Sequence, residues 1–157
     1  MVSAANSLVG SQNADGVGHE LRVLPLTNGN HIAVTSTWDN GAVVNAGAAT
    51  WGSGITGISG PVSSANSLVG SSVSDNLGNG GARALSNGNY VVISAFWDDS
   101  INGLVNTGAI TFGSGAIGIT GPVSALNSFT SGVANGNSNV LSAVALTNGS
   151  DVIRQPG

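Results

Sequence analysis

Two acidic positions, Asp98-Asp99 and its counterpart Asp39-Asn40, are the first places in this chain where chemistry could be sought. Each follows a tryptophan, so the phrases Trp38-Asp39-Asn40 and Trp97-Asp98-Asp99 form a recurring pair. Adjacent carboxylates could hold a cation, and an indole beside carboxylate and amide groups could stack on a sugar ring. Neighbours in an extended chain point to opposite sides, however, and neither phrase supplies a third oxygen ligand at a useful spacing. The acids therefore predict turns with Asx-type hydrogen bonds rather than a metal site. The tryptophans leave two readings open. They are wedges between packed sheets, or they offer ring faces to a glycan, with Trp38, Asp39, Trp97 and Asp98 as its binding residues.

The remaining candidates are weaker. Asp15 and Asp75 sit at matching places in Gly-rich loops, where capping of loop N–H groups is the expected role. His19 and His31 occur in one part of the chain only, and no motif brings a serine and a carboxylate to either. Nucleophile-elbow, zinc-protease, phosphate-loop and paired-cysteine motifs are all absent. The GSG and GNGG phrases have no helix behind them to receive an anion. Trp51 and Phe112 replace one another and read as core. One sequon, Asn148-Gly149-Ser150, lies in a turn that occurs elsewhere without the serine, and it is read as chance. These residues predict no catalytic set, no cofactor and no metal, hence no enzyme.

The elements that must position these residues are set by a repeat of about 60 residues. Asn6, Asn66 and Asn127 keep this spacing, as do Asn28, Asn87 and Asn148, and the pairs Gly47/Gly108 and Pro61/Pro122. The copies are residues 2–61, 62–122 and 123–157, the last cut short, within one repeat domain spanning 1–157. The repeat starts directly after Met1, which predicts a piece of a longer array. Four apolar segments recur in each full copy. The first, at 20–26, 82–85 and 140–146, runs into TNGN, SNGN or TNGS, and Asn-Gly predicts a tight type I′ hairpin. The second, at 31–37, 90–96 and 151–153, is rich in Val, Ile, Thr, Tyr and Phe, which is strand composition. The third is GAATW or GAITF, and the fourth covers 2–9, 62–69 and 123–129. No window carries a capped 3.6-residue apolar period, so helix is expected nowhere.

Composition narrows the partners. Charged residues make up 6% of the chain, lysine is absent, and the net charge is −4. With Arg22, Arg83 and Arg154 as the sole basic side chains apart from histidine, binding to nucleic acid or anionic lipid has little to act through. No apolar stretch approaches membrane-span length, so no membrane insertion is expected. A mean hydropathy of +0.26 with 41% hydrophobic residues predicts a packed core. The Asn/Ser/Gly-rich, lysine-free composition, without cysteine, suits an extracellular or cell-surface bacterial protein.

Residues 78–115, GNGGARALSNGNYVVISAFWDD through NTGAITFGSG, and residues 18–54, GHELRVLPLTNGNHIAVTSTWDN through NAGAATWGSG, resemble the FG-GAP repeat of integrin-α-like β-propellers. The Asn/Gly-rich phrasing is also similar to that of large bacterial surface proteins of the filamentous-haemagglutinin sort. That resemblance implies a propeller blade. The family's calcium loop is not carried over, because the turns Thr27-Asn28-Gly29-Asn30, Ser86-Asn87-Gly88-Asn89 and Thr147-Asn148-Gly149-Ser150 contain no carboxylate.

The expectation is therefore an all-β protein of tandem four-stranded antiparallel meanders, arranged as β-propeller blades or, alternatively, as a β-solenoid stack. The expected role is a non-catalytic structural or adhesive module, with a multivalent carbohydrate-binding propeller as the alternative. Two open ends predict a homo-oligomer through strand or blade completion, in which residues near 2–9 complete a neighbour's last blade.

Overall fold

The computed structural model describes residues 1–18, 22–136, 142–146 and 151–154. The structure is all-β. Thirteen short strands follow one another among the described residues: β1 (Leu8–Val9), β2 (Val23–Pro25), β3 (His31–Thr35), β4 (Ala48–Gly52), β5 (Gly60–Pro61), β6 (Ser67–Val69), β7 (Ala82–Ala84), β8 (Tyr90–Ser94), β9 (Ala109–Gly113), β10 (Gly121–Pro122), β11 (Ser128–Thr130), β12 (Ser142–Ala145) and β13 (Asp151–Arg154).

The meander of each repeat is clear in the pairing. The first sheet runs β2-β3-β4-β6 and the second β7-β8-β9-β11, every neighbour antiparallel. In both, the fourth strand belongs to the following copy, so no sheet is completed within its own repeat. The antiparallel pair β12-β13 begins a third sheet. Tandem copies thus interlock by sharing strands as well as by packing.

Two local expectations need correction. The hairpin turn is not type I′. Gly29 N–H donates to Leu26 O at 3.0 Å and Leu26 N–H to Asn30 O at 2.8 Å, with only Gly29 at positive φ, +89°. This is a three-residue loop ending in a left-handed glycine, and Leu85 to Asn89 repeats it. Asn28 stays at negative φ because its side-chain oxygen accepts the Asn30 N–H, fixing the turn one residue longer. The turn at residues 147–150, with the sequon in it, lies outside the described residues, as do His19 and Glu20.

The fourth segment is also not one strand. In residues 62–69 only Ser67–Val69 is extended, and a turn precedes it. Asn66 holds that turn: its Oδ1 accepts from Ser63 N at 2.9 Å and its Nδ2 donates to Pro61 O at 3.0 Å. Asn6 and Asn127 make the same bonds to Ser3 and Met1, and to Ser124 and Pro122. The sixty-residue asparagine spacing is therefore a turn lock. The Gly-Pro that closes each copy becomes a two-residue strand lying parallel to the fourth strand of its own copy, β5 on β1 and β10 on β6. Proline has no N–H to contribute to a ladder, so it sits at the sheet edge.

The core lies between sheets. Leu24, Leu26, Ile32, Val34, Ala49, Trp51 and Leu68, all on one face of the first sheet, pack against Ala82, Ala84, Tyr90, Val92 and Ala109 of the second. By repeat register Ile32 and Val34 correspond to Val91 and Ile93, whereas the second sheet presents Tyr90 and Val92 to this seam. Each sheet thus has a leading face of the Ile32 type and a trailing face of the Tyr90 type, and leading meets trailing. The leading face of the second sheet forms its own cluster of Leu85, Val91, Ile93 and Ile110, and β12 lies against β7 and β8. Phe112 and Phe129, the counterparts of Trp51 and Leu68, are left half-exposed.

Candidate functional site at the tryptophan–aspartate corners

The two sequence-predicted constellations, Trp38-Asp39 and Trp97-Asp98, lie where the second strand of each sheet turns into its loop. The structure assembles each pair with a carboxylate from the preceding Gly-rich loop. Asp75 is fully buried, and its Oδ2 accepts from Ser71 N and Ser72 N, both at 2.8 Å. Its Oδ1 accepts from Asp98 N at 2.9 Å. Asp98 in turn uses Oδ1 to accept from Asn106 N at 2.7 Å, where Asn106 adopts a left-handed φ of +47°. The first copy repeats this relay: Asp15 accepts from Ser11, Gln12 and Asp39 N–H groups, and Asp39 accepts from Asn45 N.

Burial pushes the Asp75 carboxyl above its ordinary value, while the N–H bonds from Ser72, Asp98 and Ser71 pull the other way. Every carboxylate of the relay thus accepts from backbone N–H groups of the loops around it. Asp99 is likewise held within its own turn, accepting from both the backbone N and the side-chain Nδ2 of Asn102. Among the described residues no group of three or more His, Asp or Glu could hold a metal ion.

The tryptophans are core residues. Trp97 is 3% exposed and packs with Leu77, Tyr90, Val92, Ala109 and Val123. Trp38 is 2% exposed among Ala48, Val62, Val69, Leu8 and Val17. Both indole N–H groups are buried without a hydrogen-bond partner. A sugar needs an open ring face, and neither tryptophan presents one. A cavity of about 220 Å³ is lined by Ser71, Trp97, Asp99, Ile101, Val123 and Ser124, among others.

His31 stands in the place of Tyr90. Each lies so close to the glycine opposite, Gly52 or Gly113, that an added Cβ there would fall within 2.3 or 2.1 Å of the ring. These glycines are seats for rings. Tyr90 is fully buried, and burial pushes its phenol up to about 12, against a backbone hydrogen bond with Ile119 that favours the anion. As the folded value lies above the unfolded one, its contribution to stability is full below pH about 10 and is lost as pH rises from there through about 12, a loss of about 2 to 3 kcal/mol. Tyr90 is the only tyrosine, so the tyrosinate absorbance of the native protein should titrate near 12. A native midpoint at the ordinary value would contradict this packing.

Sequence reasoning missed one arrangement that joins copies. The Gly115 carbonyl accepts from Asn28 Nδ2 at 2.8 Å, Asn30 Nδ2 at 2.8 Å and Trp51 Nε1 at 2.9 Å, all from the preceding copy. Asn28 was visible as a repeat anchor and Gly115 only as part of a GSG phrase, and nothing local shows that they meet. A Cβ at Gly115 would lie 1.7 Å from the Gly88 oxygen, so glycine is required there.

Comparison with curated proteins and with solved structures finds no match. A family model does match, over residues 1–19, 25–79 and 84–139, and nothing in it links the chain to FG-GAP or integrin-α repeats. Its stretches are out of frame with copies 2–61, 62–122 and 123–157: 25–79 contains β3, β4 and β6 of the first sheet and 84–139 contains β8, β9 and β11 of the second, and the chain belongs to the family described as a repeat of unknown function, DUF5650.

Proposed function

We propose that this chain is a non-catalytic structural or adhesive β-repeat module of an extracellular bacterial protein. The observation that carries this reading is the commitment of the recurring polar residues. Asp15, Asp75, Asp39, Asp98 and the periodic asparagines Asn6, Asn28, Asn66 and Asn127 hold backbone within or between copies, and Trp38 and Trp97 fill the core. Shape is what the repeat conserves from copy to copy. In this reading the sheets are blades, arranged radially in the manner of a propeller, a geometry supported by their four-stranded meanders and face-to-face packing.

The carbohydrate-binding alternative has one observation in its favour, the cavity beside the unpaired Trp97 indole and Asp99. Glycan-array screening separates the two. The structural reading expects no signal above background, together with a single cooperative unfolding transition. A specific signal that Ala125→Trp removes, by blocking the cavity from its exposed rim, would overturn it in favour of the lectin.

A further inference from the structure

Lysine is absent from the chain, and the two arginines whose side chains are described, Arg22 and Arg83, line one cleft of about 350 Å³ between the first and second sheets. They are not repeat equivalents. In register Arg22 matches Gly81 and Arg83 matches Leu24, so the fold, and not the period, brings the two charges together. The cleft runs beside β2 and β7, the end strands of their sheets.

Arg22 reaches from the first copy into the second, its Nη1 donating to the Asn79 carbonyl at 2.9 Å and to that of Gly78 at 3.4 Å. Arg83 donates from Nη1 to Ala82 O at 2.9 Å and lies over Gly81, where an added Cβ would fall 3.3 Å from that nitrogen. Carbonyl contacts position a guanidinium without cancelling its charge. Asn79, also in the wall, accepts from Ala95 N through Oδ1 at 2.8 Å, which sets the amide and leaves Nδ2 as its donor. Leu24, Val34 and Ala82 supply the apolar part. Among the described residues no carboxylate lines the cleft.

We propose that this cleft binds one small dianion with oxygen acceptors, either sulfate or phosphate or a short dicarboxylate, held by Arg22 of one copy and Arg83 of the next. Each guanidinium is a planar fork of N–H donors that matches an oxyanion, and an apolar wall strengthens the attraction. Two charges are too few for a nucleic acid, whose affinity comes from many phosphate contacts, but they suit one compact ion. The site goes beyond the structural-module reading and does not depend on it.

The test is calorimetric titration of the full chain with sodium sulfate, phosphate and succinate at fixed ionic strength, with acetate as the singly charged control. At least one dianion is expected to bind saturably, one per chain and tighter than acetate, and to raise the unfolding midpoint as its concentration rises. Arg83→Gln, at an exposed position, should weaken that binding by about tenfold or more while leaving the midpoint of the ion-free protein unchanged. Arg22→Gln should weaken it as far. Because Arg22 also joins the copies, circular dichroism checks its fold, and Arg83→Glu, which should abolish binding, replaces it if the fold is lost. A preference for succinate assigns an organic acid and a preference for sulfate or phosphate an inorganic ion, and either upholds the site. No saturable binding of any dianion, binding no tighter than that of acetate, or an affinity unchanged in Arg83→Gln would each overturn it. None of these results touches the module reading, which stands or falls on glycan binding and cooperative unfolding.

Discussion

Asp75→Ala is expected to lower the unfolding free energy by about 2 to 4 kcal/mol. The reason is the number of donors that one side chain satisfies. Its two oxygens accept the backbone N–H groups of Ser71, Ser72 and Asp98, and the residue is fully buried. Alanine leaves those donors without a partner at a place where water has poor access, and an unmet buried donor costs more than a typical hydrogen bond contributes. Asp75→Asn keeps one accepting oxygen but turns the other position into a donor facing an N–H, so about half the loss is expected. Urea unfolding followed by circular dichroism measures both. A midpoint for the alanine variant equal to that of wild type would show that the carboxylate does not hold the loop.

Trp97→Ala should cost about 3 to 5 kcal/mol, the range for removing a large aromatic side chain from a core. Trp97 stands at the seam between sheets, in contact with the trailing-face cluster of Tyr90, Val92 and Ala109. The informative companion is Trp97→Phe. It keeps an aromatic ring in the seam and removes an indole N–H that has no partner, so its cost should be well under half that of alanine. Trp38→Ala should fall below Trp97→Ala, because Leu8 and Val17, which help to close the Trp38 cluster, are themselves only partly buried. A phenylalanine variant as unstable as the alanine one would mean that the indole nitrogen makes a bond the packing does not reveal.

Both results bear on how the tryptophan–aspartate phrases are to be read. Side by side in sequence, Trp97 and Asp98 look like the wall and the polar group of a sugar site. In space the ring turns into the seam and the carboxylate turns along the chain to Asn106. Sequence separation hides the connection that matters, since Asp75 reaches Asp98 across 23 residues and Asn28 reaches Gly115 across 87. Loop-capping aspartates were legible because Asp in a Gly-rich loop has few other uses. Which N–H groups each would cap was not legible, as those partners come from a separate strand end.

The meander itself was readable from strand composition, turn residues and the sixty-residue period. The turn class was not, because Asn-Gly fits both a two-residue and a three-residue hairpin loop, and the choice depends on whether Asn28 bonds its own backbone. Nor was the parallel pairing of Gly-Pro strands, which are two residues long and carry no periodicity to detect.

By itself the sequence determined the all-β class, the copies and their order, the hairpin positions and the scarcity of groups able to do chemistry, since each of these follows from local composition or from spacing along the chain. Only the tertiary structure decided that each sheet borrows its last strand from the next copy, that leading faces meet trailing faces, and that the tryptophans are interior. Those outcomes depend on which surfaces meet once the strands have paired, and alternation along a strand says that two faces exist without saying what lies against either.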